Sequence, residues 1–357
     1  MSTPHGRMSR RFGIAVGAIV LVTTACGEDD KAATGGDPPS TPTPTASPTE
    51  PSGPPTAAPG VVTPHSEDPV LRAAAGERWT NPGWTVADGD TLWMFRNSFS
   101  SFPGVSRTDL MRSRDGGETW TEVGPVITTE DVPFTERTAF VMTGWVDEAG
   151  WHAVIATYEG QTEPSAFGVA TADRPDGEWT VAPEPIVEPG ITGGFDDLRI
   201  REPSVAIADD GTLHLYYTGW AEPGADSEIG LATSTDGGLT WEGRGSVLTG
   251  DQDWTRGDVG GAQVVRAEPG WVMLYDSTAR GASAAGLATS SDGFSWTPWD
   301  QNPVIDRRVS PGGSIFQSEV VQPDGDVATY LIEAGQGSGR TSIYLLDLDL
   351  SVVANRD

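Results

Sequence analysis

One octapeptide recurs along this chain, and its spacing constrains the fold more than any other feature. Ser234–Trp241 reads STDGGLTW, and Ser113–Trp120 is the same segment with two substitutions. Looser copies occupy 290–296 (SSDGFSW) and 171–179 (TADRPDGEW). The spacings between successive copies are 60, 61 and 55 residues, counted between the turn glycines Gly117, Gly177, Gly238 and Gly293. A period of this length indicates a repeat architecture.

Each copy is suited to closing a β-hairpin. The Asp side chain accepts backbone N–H groups within its own turn, and the Gly supplies a positive φ. A Trp at the end of the segment can cover the apolar seam between neighbouring sheets. Four short strands per repeat, a Gly-rich turn and a Trp are typical of a propeller blade. The segment resembles the Asp-box of sialidases and other propellers, where such turns lie on the face opposite the ligand.

The first 26 residues predict export rather than a folded element. Arg7, Arg10 and Arg11 precede an apolar run, Phe12–Val22, that ends close to Cys26, the only cysteine. This segment resembles a bacterial lipoprotein signal with Cys26 as the lipidated residue, although Thr23 replaces the usual aliphatic residue. A run of about 11 apolar residues is too short for a membrane span, which needs about 20. We therefore expect a lipid anchor on the outer face of the cell membrane, reached by Sec or twin-arginine export.

Composition divides the rest of the chain in two. Residues 27–65 are rich in Pro, Thr, Ser and Ala, which predicts an extended linker, and residues 66–357 form the predicted folded domain. A single cysteine excludes an internal disulfide. The net charge of −29 excludes nucleic acid as a partner and leaves the lipid as the only membrane contact. Nothing in the sequence requires more than a monomer.

The folded domain divides into five units, each with two apolar segments joined by a turn at residues of the Asp-Gly or Pro-Gly type. Period-2 alternation in these segments favours strands over helices. The prediction is an all-β domain, a five-bladed β-propeller with four antiparallel strands per blade. The first segments of the five units begin at Trp79, Thr138, Pro203, Gly261 and Ile315.

Three motifs give this propeller a family resemblance. Arg201-Glu202-Pro203-Ser204-Val205, the segment 210–219 and Trp79-Thr80-Asn81-Pro82-Gly83 are similar to motifs of the five-bladed glycoside hydrolases of families 43, 32 and 68. The resemblance covers about four-fifths of the chain. It implies a hydrolase that cleaves glycosidic bonds, most often in furanoside polysaccharides such as arabinan or fructan, and it implies carbohydrate as the partner.

The same resemblance implies that carboxylates cleave the glycosidic bond, and that they lie at the start of the first strand of each blade, the strand nearest the propeller axis. One carboxylate activates water or attacks the anomeric carbon, and another protonates the leaving oxygen. Asn81 stands where the family has its first Asp, so the acids must come from elsewhere. The candidate catalytic residues are Glu202, Asp258, Glu136 and Glu319.

Aromatic and basic residues near the same end of the strands are the candidates for substrate binding. An aromatic ring can stack on a sugar, and an arginine can bind hydroxyls or a carboxylate. No cluster of His and Cys indicates zinc, so no cofactor is required, although the axis has room for a structural ion. The candidate binding residues are Trp79, Asn81, Arg137, Tyr158, Arg201, Trp220 and Arg280.

Two other functions stay open from the residues. Asn81 in place of Asp also fits a propeller lipoprotein that binds glycan or protein without catalysis. The octapeptides and Arg199-Ile200 also suggest a sialidase-like exoglycosidase, which would require six blades. The remaining acids and their arginine neighbours favour the hydrolase.

Overall fold

The structure is a computed structural model that describes residues 56–160, 165–267, 270–277, 283–310, 317–324, 327–336 and 340–354. All of these residues belong to one compact unit, Glu50–Asp357. The predicted signal, Cys26 and Arg280 lie outside the described residues. No helix in the described ranges has the length and apolar character that a membrane crossing needs.

Five antiparallel sheets follow one another along the chain, and each is one blade of a propeller. Two short strands, β1 (Val62–Pro64) and β2 (Leu71–Arg72), precede the first blade. Blade one contains β3 (Trp79–Asn81), β4 (Thr85–Asp88), β5 (Thr91–Phe99), β6 (Ser106–Ser113) and β7 (Thr121–Thr128). Blade two contains β8 (Thr138–Asp147), β9 (Gly150–Tyr158), β10 (Phe167–Ala172) and β11 (Thr180–Val181).

The last three blades repeat this plan. Blade three contains β12 (Arg199–Ile207), β13 (Leu213–Trp220), β14 (Glu228–Ser234) and β15 (Glu242–Leu248). Blade four contains β16 (Gly260–Ala267), β17 (Gly270–Ser277), β18 (Ala284–Ser290) and β19 (Thr297–Pro298). Blade five contains β20 (Gln317–Asp324), β21 (Val327–Gln336) and β22 (Arg340–Asp349). A 3₁₀ turn (Thr129–Asp131) joins blades one and two, and a one-turn helix, α1 (Ser351–Ala354), follows β22.

Strand β1 completes blade five from the other end of the chain. It pairs antiparallel with β22, with Val62 opposite Leu348, so the outer strand of the last blade comes from the N-terminal side. The Ala58 N–H also donates to the carbonyl of Pro303 at 2.7 Å. Strand β1 therefore lies before residue 66, within the segment whose composition predicts a linker.

The octapeptide turns join the third and fourth strands of their blades. In blade one, Asp115 accepts the Thr119 N–H at 2.9 Å and lies 2.7 Å from the Ser113 hydroxyl. Asp236 makes the same set of bonds in blade three. The hydroxyls of Thr119 and Thr240 also donate to these carboxylates, and together with the other bonds to the charged form they lower the pKa of both Asp115 and Asp236 to about 2.

Each turn ends in a Trp that fills the seam between two blades, as the sequence predicts. Trp120 packs with Met94 of blade one and Leu345 of blade five. The next three seams are filled in the same way by Trp179, Trp241 and Trp296. The five-bladed prediction is confirmed, and the six-bladed ring that a sialidase-like exoglycosidase would require is not the fold observed.

The inner strands contact one another in succession around the axis: β8 with β12, β12 with β16, β16 with β20, and β20 with β4. Their first residues lie at the end of the ring opposite the octapeptide turns, because Trp79 pairs with Phe99 while Ser113 pairs with Leu92 at the other end of β5. We call this end the upper face. It is where the sequence places the candidate catalytic residues.

Candidate functional site

Two inner strands carry a β-bulge close to the upper face. The register of β12 against β13 shifts after Arg201, and that of β16 against β17 shifts after Gly260. The bulge residues are Glu202 and Gly261, with φ of 55° and 59°. A glycine adopts this conformation freely, whereas it is uncommon for a residue with a side chain. Glu202 therefore holds a strained backbone conformation that aims its side chain away from the regular strand direction.

The carboxylate of Glu202 is fixed across the junction of blades three and four. Its Oε2 accepts the Thr218 hydroxyl at 2.8 Å and the Gly261 N–H at 3.0 Å. The same N–H lies 3.1 Å from the Thr218 hydroxyl oxygen. Thr218 is buried and Glu202 is half-buried, so the acceptor oxygen is held from below while the side chain keeps contact with solvent.

Asp276 lies on the other side of the same glycine. It is opposite Gly260 at the upper end of β17, and a Cβ placed on Gly261 would stand only 2.4 Å from its Oδ2. Gly261 therefore touches both acids, which puts the carboxylates of Glu202 and Asp276 within about 8 Å of each other. The glycine is required here because any side chain would overlap Asp276.

The two acids differ in burial, because Asp276 is buried whereas Glu202 is half-buried. Asp276 is buried, and this burial together with the nearby charge of Glu202 raises the pKa of the Asp276 carboxyl well above its usual range. The Asp276 carboxyl therefore retains its proton at pH values where an ordinary aspartate is charged. A pair in which one acid bears a proton and its neighbour accepts two hydrogen bonds can supply an acid and a base at one site.

Arginines and aromatic rings border this pair on the blade-three side. The Arg199 and Arg201 guanidinium carbons lie 4.1 and 5.8 Å from the ring centre of Trp220. Arg201 also lies 5.2 Å from the ring of Tyr158 and donates to the Gly160 carbonyl at 2.6 Å. Burial and the charge of Arg201 lower the pKa of Arg199.

Tyr158 is a core residue rather than an exposed platform for a sugar. It is 5% exposed and packs against Phe102 and Phe140. Burial and the charge of Glu202 raise the pKa of its hydroxyl, which accepts the Glu202 backbone N–H. The structure thus places Tyr158 beneath the bulge, where it supports Glu202.

Asp258, the predicted blade-four acid, is used differently from Asp276. Its Oδ1 accepts the backbone N–H and the hydroxyl of Ser227 at 3.0 and 3.3 Å. It lies in the loop before β16, and these bonds fix that loop to the start of blade three's third strand. Asp276 is the blade-four carboxyl for which the structure gives an electrostatic interaction with Glu202.

Glu319 lies deeper along the axis than the Glu202–Asp276 pair. Its Oε1 accepts the Thr85 N–H at 3.0 Å. Thr85 pairs with Met94, three residues along β5 from Asn97, the partner of Asn81 near the upper face. Its Oε2 is buried with no hydrogen-bond partner among the described residues. Burial raises the pKa of Glu319 well above its usual range.

The other predicted residues have their described contacts elsewhere. Glu136 and Arg137 are exposed in the loop before β8, and no described contact links either side chain to Glu202. Trp79 stacks on Phe99 at 5.1 Å, with the Arg78 guanidinium 4.3 Å from its ring centre. Asn81 is buried in β3.

Sequence reasoning missed Asp276, although a signal was present. Aligning blades three and four on their second strands puts Tyr275-Asp276-Ser277 over Tyr217-Thr218-Gly219. An acid at the end of an apolar strand, in the position where its neighbouring blade has Thr218, indicates a buried carboxyl beside Glu202. Within the described part of the chain, no three His, Cys, Asp or Glu side chains are grouped as metal ligands would be.

Comparison with known proteins agrees with this architecture. No family model and no curated protein matches the sequence. The fold, however, is that of a five-bladed propeller structurally similar to glycoside hydrolases, which confirms the resemblance at the level of the fold.

Three solved structures illustrate the similarity. One is described as a glycoside hydrolase, with 17% identity and a TM-score of 0.64 over 80% of this chain and 92% of that chain. A thermostable family-43 glycoside hydrolase has 16% identity and a TM-score of 0.60, over 74% and 89%. The β-1,2-mannobiose phosphorylase from Listeria innocua has 14% identity and a TM-score of 0.62, over 82% and 98%.

Proposed function

We propose that this propeller hydrolyses glycosidic bonds, using Glu202 and Asp276 as its pair of carboxyl groups. The observation that supports this proposal is the Glu202–Asp276 pair itself: two acids beside one glycine at the upper face, with the pKa of the buried Asp276 raised well above its usual range. Glycosidases need such a pair, and the separation of its members sets whether the reaction retains or inverts the sugar configuration.

The two acids have different roles in this proposal. Asp276 donates its proton to the leaving oxygen as the glycosidic bond breaks, because it is the member that holds a proton. Glu202 is the carboxylate that attacks the anomeric carbon or takes a proton from the attacking water. Its partners, the Thr218 hydroxyl and the Gly261 N–H, hold it in place for that step.

For the substrate, we propose a polysaccharide or oligosaccharide of neutral sugars. Furanoside polymers such as arabinan and fructan come first from the family resemblance. Xylose-containing substrates are added because structures of similar fold are named β-xylosidase and endo-1,4-β-xylanase. β-1,2-Mannobiose is added, with and without inorganic phosphate, because of the phosphorylase among the similar structures.

These candidate substrates form the test panel. The test measures the reducing sugar that a protein of residues 56–357 releases from each of them. Glu202→Gln keeps the size of the side chain and removes its charge, and Glu136→Gln is the matched control at an exposed acid. We expect activity that falls at least about 100-fold in Glu202→Gln and is unchanged in Glu136→Gln. Activity that is equal in the wild type and Glu202→Gln would refute the assignment of Glu202.

Asn81 favours one alternative, a propeller that binds glycan without cleaving it. In that case the same panel gives no product. Retention of the wild type on a glycan array would then support the binding function.

We further propose that the propeller is exported and held at the outer face of the cell membrane by lipid on Cys26. The apolar run ending near the only cysteine, followed by the Pro- and Thr-rich segment, supports this proposal. Labelling with a fatty-acid analogue in a bacterial host should be present in the full chain and absent in Cys26→Ser. Equal labelling of the two would exclude this anchor.

A further inference from the structure

The hydroxyl of Thr218 donates its hydrogen bond to Glu202. Thr218 is buried at the upper end of β13, opposite Arg201 of β12. Its hydroxyl donates its only proton to Glu202 Oε2 at 2.8 Å, and its oxygen accepts from the Gly261 N–H at 3.1 Å. The direction of donation follows, since Gly261 contributes the N–H and the carboxylate contributes only acceptors.

A hydrogen bond of this kind favours the charged carboxylate. The donor is most valuable when Glu202 is ionised, because a protonated Glu202 would no longer be a strong acceptor. Three other groups interact electrostatically with Glu202: Arg199 on its own strand, Tyr158 from β9 and Asp276 from β17. Arg199 stabilises the charge of Glu202, whereas Asp276 would oppose it if it ionised.

The hydrogen bond from Thr218 also fixes the position of the Glu202 side chain. Glu202 has a left-handed backbone conformation, so its side chain leaves the strand at an angle that depends on local contacts. Thr218 and Gly261 fix one of its two oxygens, and the other oxygen has no hydrogen bond to a residue within the described ranges.

From this geometry we propose that Thr218 is a positioning residue, whose hydroxyl holds the Glu202 carboxylate aligned beside Asp276. The inference rests on the proposed function for its role in catalysis. The coupling between Thr218 and Glu202 can nevertheless be measured without any substrate.

The experiment compares Thr218→Val, which has the same shape without the hydroxyl, with Thr218→Ser, which keeps the hydroxyl. The ionisation of Glu202 is followed by NMR of ¹³C-labelled glutamate carboxyls, with the Glu202 signal assigned by its absence in Glu202→Gln. We expect the midpoint of Glu202 to rise by roughly one pH unit in Thr218→Val and to return towards the wild-type value in Thr218→Ser.

Kinetics supply a second measurement on the substrate that the panel identifies. In Thr218→Val, kcat/KM should fall about tenfold to 100-fold, its acidic limb should move to higher pH, and KM should change little. Thr218→Ser should restore most of the rate. Thr218→Ala provides a second hydroxyl-free variant if Thr218→Val does not fold.

An unchanged Glu202 midpoint in Thr218→Val would overturn the inference. Equal shifts in Thr218→Val and Thr218→Ser would also overturn it, because the loss would then follow from packing rather than from the hydroxyl. A wild type that cleaves nothing refutes the proposed function, whereas the NMR titration still decides whether Thr218 controls Glu202.

Discussion

Replacing Gly261 by alanine tests the closeness of the two acids. The substitution adds one Cβ, which would lie 2.4 Å from Asp276 Oδ2 and 3.0 Å from its Cγ. Since ordinary contacts begin at about 3.4 Å, the Asp276 carboxyl must move by about 1 Å.

The expected loss of unfolding free energy in Gly261→Ala has two parts, which a control variant separates. An alanine at φ 59° costs about 1–2 kcal/mol through backbone strain alone. Overlap in a packed site adds about 1–3 kcal/mol. Gly89 has φ 56° with no atom within 4 Å of the added Cβ, so Gly89→Ala carries the strain without the overlap.

The assay is urea unfolding of residues 56–357 at pH 7, with the wild type, Gly261→Ala and Gly89→Ala side by side. We expect Gly261→Ala to lose about 1–3 kcal/mol more of unfolding free energy than Gly89→Ala. Activity should be lost in Gly261→Ala only. Equal losses of stability in the two variants would refute the close packing of Asp276 on Gly261.

Two further predictions concern the axis and the ring closure. The pKa of Glu319 is raised in the folded state, so folding takes up a proton and the stability of the wild type should fall as pH rises above about 4.5, by up to about 1.4 kcal/mol per pH unit. In urea unfolding between pH 5 and 8, Glu319→Gln should remove the Glu319 part of this fall, while the part due to the raised pKa of Asp276 remains. An unchanged slope would contradict a buried neutral Glu319. A chain that starts at residue 66 lacks β1 and the buried pair Val61 and Val62, so it should be about 3 kcal/mol less stable than residues 56–357. Equal melting temperatures would show that β1 does not contribute to closure.

The repeat made the fold predictable because each blade carries its own local signals. Three signals recur: the octapeptide turns, the Trp residues at the seams and the apolar strand pairs. A signal that is weak in one blade can therefore be recognised from its position in the other blades. Strand β1 escaped prediction because Val61 and Val62 are a short apolar pair within a Pro- and Thr-rich segment, and their partner β22 is nearly 290 residues away.

The site was predicted less completely, for a physical reason. Sequence reasoning places Glu202 correctly at the start of its strand, but it assigns blade four's acid to Asp258 because that residue precedes the strand. The bulge at Gly261 decides which acid faces Glu202, and a bulge depends on the register between strands, which a linear motif does not specify. The burial that keeps Asp276 protonated likewise arises only when the blades pack together.

The most direct test of the Glu202–Asp276 pair is the rate of Asp276→Asn beside that of Asp258→Asn, on the substrate that the panel identifies. Asparagine keeps the shape of each acid, and at Asp276 it removes the proton that the proposed mechanism transfers. We expect kcat/KM to fall about 10²- to 10⁴-fold in Asp276→Asn, with unfolding free energy at pH 7 undiminished, and to stay within about tenfold of wild type in Asp258→Asn. The reverse order, with Asp258→Asn inactive and Asp276→Asn active, would contradict the assignment of Asp276 as the acid.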